Sequence, residues 1–193
     1  MPFNCRRFEE RVILQKIIKD TILEFNKLDI LVNNTSVQFP QNSLGDISTE
    51  QWNDTFRTNI YPLFYVTKAA LPYLECGATI ITTTSITAYQ GNKLLIDYSA
   101  TKGAIVSFTR SLALSLISKG ICVNGVAPGP IWAPLQPASF DANYITTFGT
   151  DTPMKRAVQP VELAPTYVYL ASDDSTYVTG QVLHGNSGNY ISS

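Results

Sequence analysis

Four short apolar or β-branched runs, separated by segments of helical periodicity, constrain this chain more than any other feature. The runs lie at 28–33 (Leu-Asp-Ile-Leu-Val-Asn), 78–84 (Ala-Thr-Ile-Ile-Thr-Thr-Thr), 121–126 (Ile-Cys-Val-Asn-Gly-Val) and 181–184 (Gln-Val-Leu-His). Short runs of this kind read as strands buried on both faces. Residues 8–26 read as an amphipathic helix, with Leu14, Ile17, Ile18, Ile22 and Phe25 at helical spacing. Ser48-Thr-Glu-Gln51 has capping-box spacing, and the helix it opens is expected to reach about Leu74 with a kink at Pro62. A third helix is expected from about Tyr98 to Lys119, ended by Gly120, and a fourth over 160–171. The Pro-rich stretch 128–159 reads as a long excursion loop with a short helix. Buried strands alternating with helices predict an α/β fold: a doubly wound parallel sheet in three layers, with right-handed crossovers. Ligands bind such sheets beyond the carboxyl ends of the strands. Asn33-Asn34, Ser85 and Pro128-Gly129 stand at those ends.

Composition removes several classes of function. The formal net charge is −1, so no basic excess exists to hold a phosphate backbone, and nucleic acid is not an expected partner. Hydrophobic residues make up 45% and charged residues 15% of the 193, enough to bury a core. No apolar run approaches the length that spans a bilayer, so no membrane association is expected. His184 stands alone and the three cysteines, Cys5, Cys76 and Cys122, are widely spaced. No metal site is therefore expected, and the cysteine pattern suits a reducing, cytoplasmic setting.

Tyr98 and Lys102 are one helical turn apart, so they share a helix face. Ionising a tyrosine at neutral pH requires a shift of about three pK units, roughly 4 kcal/mol. One ammonium at ~4 Å and an effective dielectric near 20 supplies about that much. The pair therefore suits general acid–base work, with Ser85 positioned to hydrogen-bond the oxygen that exchanges the proton. Tyr89 and Lys93 have the same spacing, but Gly91-Asn92 between them signals a turn that separates their faces. Tyr98–Lys102 opens a helical segment and is the better candidate. Asn33-Asn34 also has a purely structural reading, since side-chain amides tie adjacent strand ends together.

Tyr98-Ser-Ala-Thr-Lys102-Gly-Ala, Ser85 thirteen residues upstream, Leu31-Val-Asn-Asn34, Asn59 and Val126-Ala-Pro-Gly-Pro-Ile131 together resemble the short-chain dehydrogenase/reductase family. Asp97-Tyr98, Asn124-Gly-Val-Ala-Pro-Gly-Pro-Ile-Trp132, Pro137-Ala-Ser-Phe140, Asp151-Thr-Pro-Met154, Ala171-Ser-Asp-Asp174 and Thr179-Gly-Gln-Val-Leu-His184 resemble its glucose/ribitol dehydrogenase-like branch. The resemblance runs over about residues 20–188. It implies a Rossmann-like fold and hydride transfer between NAD or NADP and a sugar, polyol or similar small alcohol or carbonyl. Tyr98 would exchange the proton with the substrate oxygen, and Lys102 would lower the Tyr98 pKa and hold the nicotinamide ribose. Ser85 would orient the substrate oxygen, and Asn59 would hold a water in the proton relay. Asn33 and Asn34 would lie beside the adenosine, while Pro128, Gly129 and Ile131 would offer backbone to the nicotinamide. The helices at about 48–74 and 98–119 resemble those that build a four-helix dimer interface, so a homo-oligomer is expected.

Four departures stand against that pattern. Thr35-Ser36 follow the paired asparagines where small Ala and Gly are usual, and Ala133 stands where a threonine commonly meets the carboxamide. Gly185-Asn-Ser-Gly188 replaces an Asn-Gly-Gly run, and none of the eleven glycines forms Gly-x-Gly. The expectation is a single short-chain dehydrogenase-like domain over 1–193 that lacks its N-terminal third. The missing piece would be the first βαβαβ and its phosphate-binding turn, roughly 60–90 residues at about 30 per unit. Binding of NAD or NADP by such a chain is expected to be weak or absent. The alternative is a truncated, catalytically silent relative that serves as an oligomerisation partner, or an incomplete gene model.

Overall fold

A computed structural model describes residues 11–189 of the chain. Its centre is a four-stranded, wholly parallel sheet in the order β1-β2-β3-β4, comprising β1 (Ile30–Asn33), β2 (Thr79–Thr83), β3 (Cys122–Pro128) and β4 (Val182–Gly185). Among the described residues the α-helices are α1 (Arg11–Phe25), α2 (Thr49–Asn59), α3 (Tyr61–Ala70), α4 (Thr87–Gln90), α5 (Ile96–Leu116), α6 (Leu135–Ser139), α7 (Ala142–Thr146) and α8 (Pro160–Ala171). Residues 8–10 of the expected first helix lie outside the described residues.

Alternation along the strands divides the core between the two faces of the sheet. Leu31, Ile80 and Val123 point to one face and pack with Ala70, Leu74, Ala113 and Leu116. Ile81 and Val126 point to the other and meet Leu163 and Leu170 of α8. Leu14 and Ile18 of α1 are buried and α1 lies against α3, whereas Ile17 and Phe25 of the same predicted apolar face are exposed.

Three expectations need correction. The single kinked helix over 48–74 is two helices, with Pro62 in the first turn of α3. Proline has no N–H to continue α2, yet it suits the start of a helix. The capping box at Ser48 forms only in half. Ser48 accepts the Gln51 N–H at 3.1 Å, but the Gln51 side chain turns inward to Asp97 and the Phe39 carbonyl. The excursion over 128–159 holds two short helices, α6 and α7, where one was expected. Gly120 ends the long helix as expected, with φ of 69°.

Parallel register brings Asn33, Thr83, Pro128 and Gly185 to one edge of the sheet. There β3 runs two residues beyond its predicted end, because Ala127 and Pro128 pair with His184 and Gly185. Gly129 follows immediately, where a Cβ would stand 2.9 Å from Asn186 Cα. Among the described residues β1 is an edge strand, and Val32 is 46% exposed. An apolar edge of this kind recruits other strands. Val32→Lys is expected to lower self-association of the purified chain in light scattering, without changing its circular dichroism.

Candidate active site

Tyr98 lies in the first turn of α5, and its phenol reaches a cleft of about 340 Å³ that Ser85, Gly129 and the excursion also line. Lys102 follows one turn later and is only 1% exposed. Its Nζ donates to the Thr83 carbonyl at 3.0 Å and sits 5.2 Å from the centre of the Tyr98 ring. The Ser85 Oγ accepts from both the backbone N–H and the hydroxyl of Thr87, each at 3.1 Å. With both lone pairs engaged, its own proton is left to donate.

Burial dominates the electrostatics of this pair. It pushes the Tyr98 phenol up to about 12, against the opposing pull of the Ser85 hydroxyl. It also lowers the Lys102 ammonium to about 7. The expected depression of the Tyr98 pKa by Lys102 does not occur within the protein itself: burial raises it most, and the group that pulls it down is the Ser85 hydroxyl. Each charged form loses solvation, and the Lys102 Nζ is engaged by a neutral carbonyl. Tyr98 is held protonated at neutral pH, the form that donates to a carbonyl oxygen.

The remaining candidate residues divide between structural ties and open groups. The Asn33 amide donates to the Thr67 Oγ at 3.2 Å, and Asn34 Oδ1 accepts from the Thr83 Oγ at 2.8 Å. Asn34 therefore ties the ends of β1 and β2 as the structural reading expects, whereas Asn33 ties β1 to α3. Asn59 Oδ1 accepts the Val37 N–H at 2.8 Å, while its amide donates to the Val37 carbonyl and the Thr101 Oγ, each at 3.0 Å. The Pro128 carbonyl accepts the Ile86 N–H, and the Gly129 N–H goes to the Gly185 carbonyl, both at 2.9 Å. Ile131 makes neither of the two bonds that tie Pro130 and Trp132 to Val158. Ser36 Oγ is buried without a partner. Tyr89 lies in α4, which ends at Gly91 before Lys93, so the rival Tyr–Lys pair is not on one helix. His184 packs edge-on against the Tyr89 ring at 4.6 Å, a packing role.

Sequence reading missed a buried carboxylate behind Tyr98. Asp97 is 0% exposed and accepts from Thr55 Oγ at 2.7 Å, Gln51 Nε2 at 3.0 Å and the Tyr98 N–H at 2.8 Å. Its signal was an acidic residue in the first turn of a helix otherwise rich in small and apolar residues. The Gln51 that meets it also accepts from Gln41 Nε2 at 2.6 Å. This network joins α2, α5 and the loop after β1.

A family model described as Enoyl-(Acyl carrier protein) reductase matches residues 10–189. Uncharacterized oxidoreductase YhdF of Bacillus subtilis (strain 168) is 60% identical over 178 residues, covering 92% of this chain and 62% of that protein. The Glucose and ribitol dehydrogenase of Daucus carota is 53% identical over 174 residues, covering 90% of this chain and 60% of that protein. Among solved structures, the short-chain dehydrogenase/reductase (glucose/ribitol dehydrogenase) from Brucella melitensis superposes with a TM-score of 0.83 at 32% identity. The superposition covers 96% of this chain and 74% of that one. The chain belongs to the short-chain dehydrogenase/reductase family. It spans about three fifths of the length of the two curated relatives.

Two measurements test the buried groups. The Lys102 pKa falls on folding, so between about 7 and 10.5 the unfolded chain binds more protons than the folded one. Stability then rises with pH across that window. The urea midpoint is expected to climb from pH 7 to 9, and Lys102→Met is expected to flatten the climb. Asp97→Ala strands three donors and is expected to cost about 2–4 kcal/mol in denaturant unfolding.

Proposed function

We propose that the chain carries the catalytic part of an NAD(P)-dependent oxidoreductase acting on a sugar, polyol or similar small alcohol or carbonyl. The observation that carries this reading is the placement of Tyr98 and Ser85 on one cleft, with Lys102 buried a turn below. The nicotinamide cofactor, when bound, supplies or accepts the hydride. Tyr98 donates its proton to the carbonyl oxygen in reduction and takes it back in oxidation. Ser85, its lone pairs already engaged, donates to the same oxygen and holds it against Tyr98. Lys102 titrates near neutrality and renews the Tyr98 proton. Asn59 serves the relay by fixing Thr101 and the loop at Val37.

The groups left open fit the nicotinamide end of such a cofactor. Lys102 keeps two N–H groups beyond its bond to Thr83, the Ile131 backbone groups take no part in the bonds to Val158, and Ser36 Oγ is buried without a partner. Pro128 and Gly129 set the position of Ile131 through the strand ends. Asn33 and Asn34 shape the adjoining floor, where the adenosine half would lie. No Gly-x-Gly occurs in the sequence, so affinity for NAD or NADP is expected to be weak. Relatives named for glucose and ribitol support the substrate class.

A homo-oligomer through α2–α3 and α5 belongs to the same reading. Tyr61 and Phe64 are exposed there beside a hollow of about 390 Å³ that Ala104 and Phe108 of α5 also line. No described helix is long and apolar enough to cross a membrane, and a cytoplasmic site of action suits the proposed chemistry.

The test is turnover, followed by nicotinamide absorbance, with NAD and with NADP over a panel of sugars and polyols. Activity is expected at high cofactor concentration, falling at least about 100-fold in Tyr98→Phe. No turnover with any pair, or undiminished turnover in Tyr98→Phe, overturns the reading. Calorimetric titration is expected to give a Kd for NADH weaker than micromolar, and micromolar binding would contradict the expected weakness while leaving the oxidoreductase reading in place.

A further inference from the structure

The cleft has a second polar feature on a wall that Tyr98 and Ser85 do not use. Gln38, in the loop after β1, is only 5% exposed. It donates through Nε2 to Gln136 Oε1 of α6 at 3.1 Å, across 98 positions of sequence. Both side chains line the cleft that Tyr98 reaches. We propose that Gln38 and Gln136 form a clasp that reads a vicinal diol of the substrate, making them specificity-determining residues. The inference rests on the cleft being the site of the alcohol–carbonyl chemistry proposed above.

The chemistry follows from what an amide–amide bond leaves over. It consumes one N–H and one carbonyl oxygen. Gln38 keeps its Oε1 as an acceptor, and Gln136 keeps its Nε2 as a donor. Two adjacent hydroxyls satisfy both, one donating to Gln38 and its neighbour accepting from Gln136. A lone hydroxyl meets both only by donating and accepting through a single oxygen, whereas a diol supplies a separate oxygen to each. Neither amide carries charge, so the clasp offers no ion pair to an anionic or cationic ligand. Beside it, Phe140 and Tyr144 stack at 4.1 Å with planes 15° apart, giving an apolar face for a carbon chain.

The clasp is also held in place before any ligand arrives. On one side of Gln38, both backbone groups of Val37 are bonded to Asn59. On the other, the Phe39 carbonyl accepts from Gln51, which Asp97 holds in turn. The carbonyl of Gln38 itself accepts from Ser139 Oγ of α6 at 3.4 Å. A polar group fixed in this way discriminates strongly, because a ligand that fails to satisfy it leaves it buried and unpaired.

The experiment is saturation-transfer NMR on the whole chain, comparing ribitol with a pentanediol hydroxylated only at its two ends. Ribitol is expected to bind and the pentanediol to bind more weakly. Gln136→Leu and Gln38→Leu are each expected to weaken ribitol roughly 5- to 10-fold and leave the pentanediol within about twofold. Their double variant is expected to be no worse than either alone. Should Gln38→Leu lower the melting temperature, Gln136→Leu on the half-buried face of α6 carries the test. Equal binding of the two probes, no binding of either, or ribitol binding unchanged in Gln136→Leu overturns the inference. Gln136-dependent ribitol binding without nicotinamide-linked turnover upholds the clasp and overturns the oxidoreductase reading. Turnover with equal losses on both substrates in Gln136→Leu does the reverse.

Discussion

A parallel ladder ends with backbone groups that have no further strand to pair with, and this chain satisfies them with the groups that make its site. One residue past its last pairing with β1, β2 presents the Thr83 carbonyl, which takes the Lys102 ammonium. The Pro128 carbonyl at the end of β3 takes the Ile86 N–H, just past Ser85. The Thr83 hydroxyl meets Asn34 of the β1 end and the Tyr167 hydroxyl of α8. Each bond completes the sheet edge and, in the same act, orients a candidate catalytic or cofactor-facing residue. The site and the stability of that edge are therefore not separable.

Burial then decides how the two central groups ionise. Lys102 is brought below the surface to meet a carbonyl rather than a carboxylate, so its charge gains a dipole and not an opposite charge. Tyr98 loses water on the same terms. The result is a protonated phenol above an amine that titrates near neutrality, two groups whose environments have moved their pKa values further from the ordinary tyrosine and lysine order. Proton-transfer sites commonly carry such displaced values.

Much of this arrangement was legible in the sequence. The four strands, the four-residue spacing of Tyr98 and Lys102 and the strand-end position of Ser85 all follow from periodicity and turn chemistry. Family resemblance supplied Asn59 and Ile131. What escaped was long-range. Asp97 meets Gln51 across 46 positions and Gln38 meets Gln136 across 98, and no local pattern encodes partners so far apart. Gln51 illustrates the limit well: local spacing assigned its side chain to a helix cap, whereas a buried carboxylate on another helix competes for that amide and wins. The helix expected over 48–74 failed for a related reason. Pro62 was rightly read as a disturbance, but whether a proline bends a helix or begins a new one depends on what the chain around it packs against.

The bonds from Asn59 to Val37 have a mechanical consequence. They fasten the loop after β1 to two long helices, so the wall carrying Gln38 moves only if the α2–α5 contact moves. In the facing wall, with α6 and α7, the two ends of the excursion are tied to each other where Pro130 and Trp132 bond to Val158, and Met154 bonds to Ser187 beyond the end of β4. The two walls meet where Gln38 bonds to Gln136 and Ser139, so the fastened wall also steadies the one that the excursion carries. The width of the cleft is set by the excursion, and sequence change there can retune what the cleft admits while the acid–base pair stays where it is.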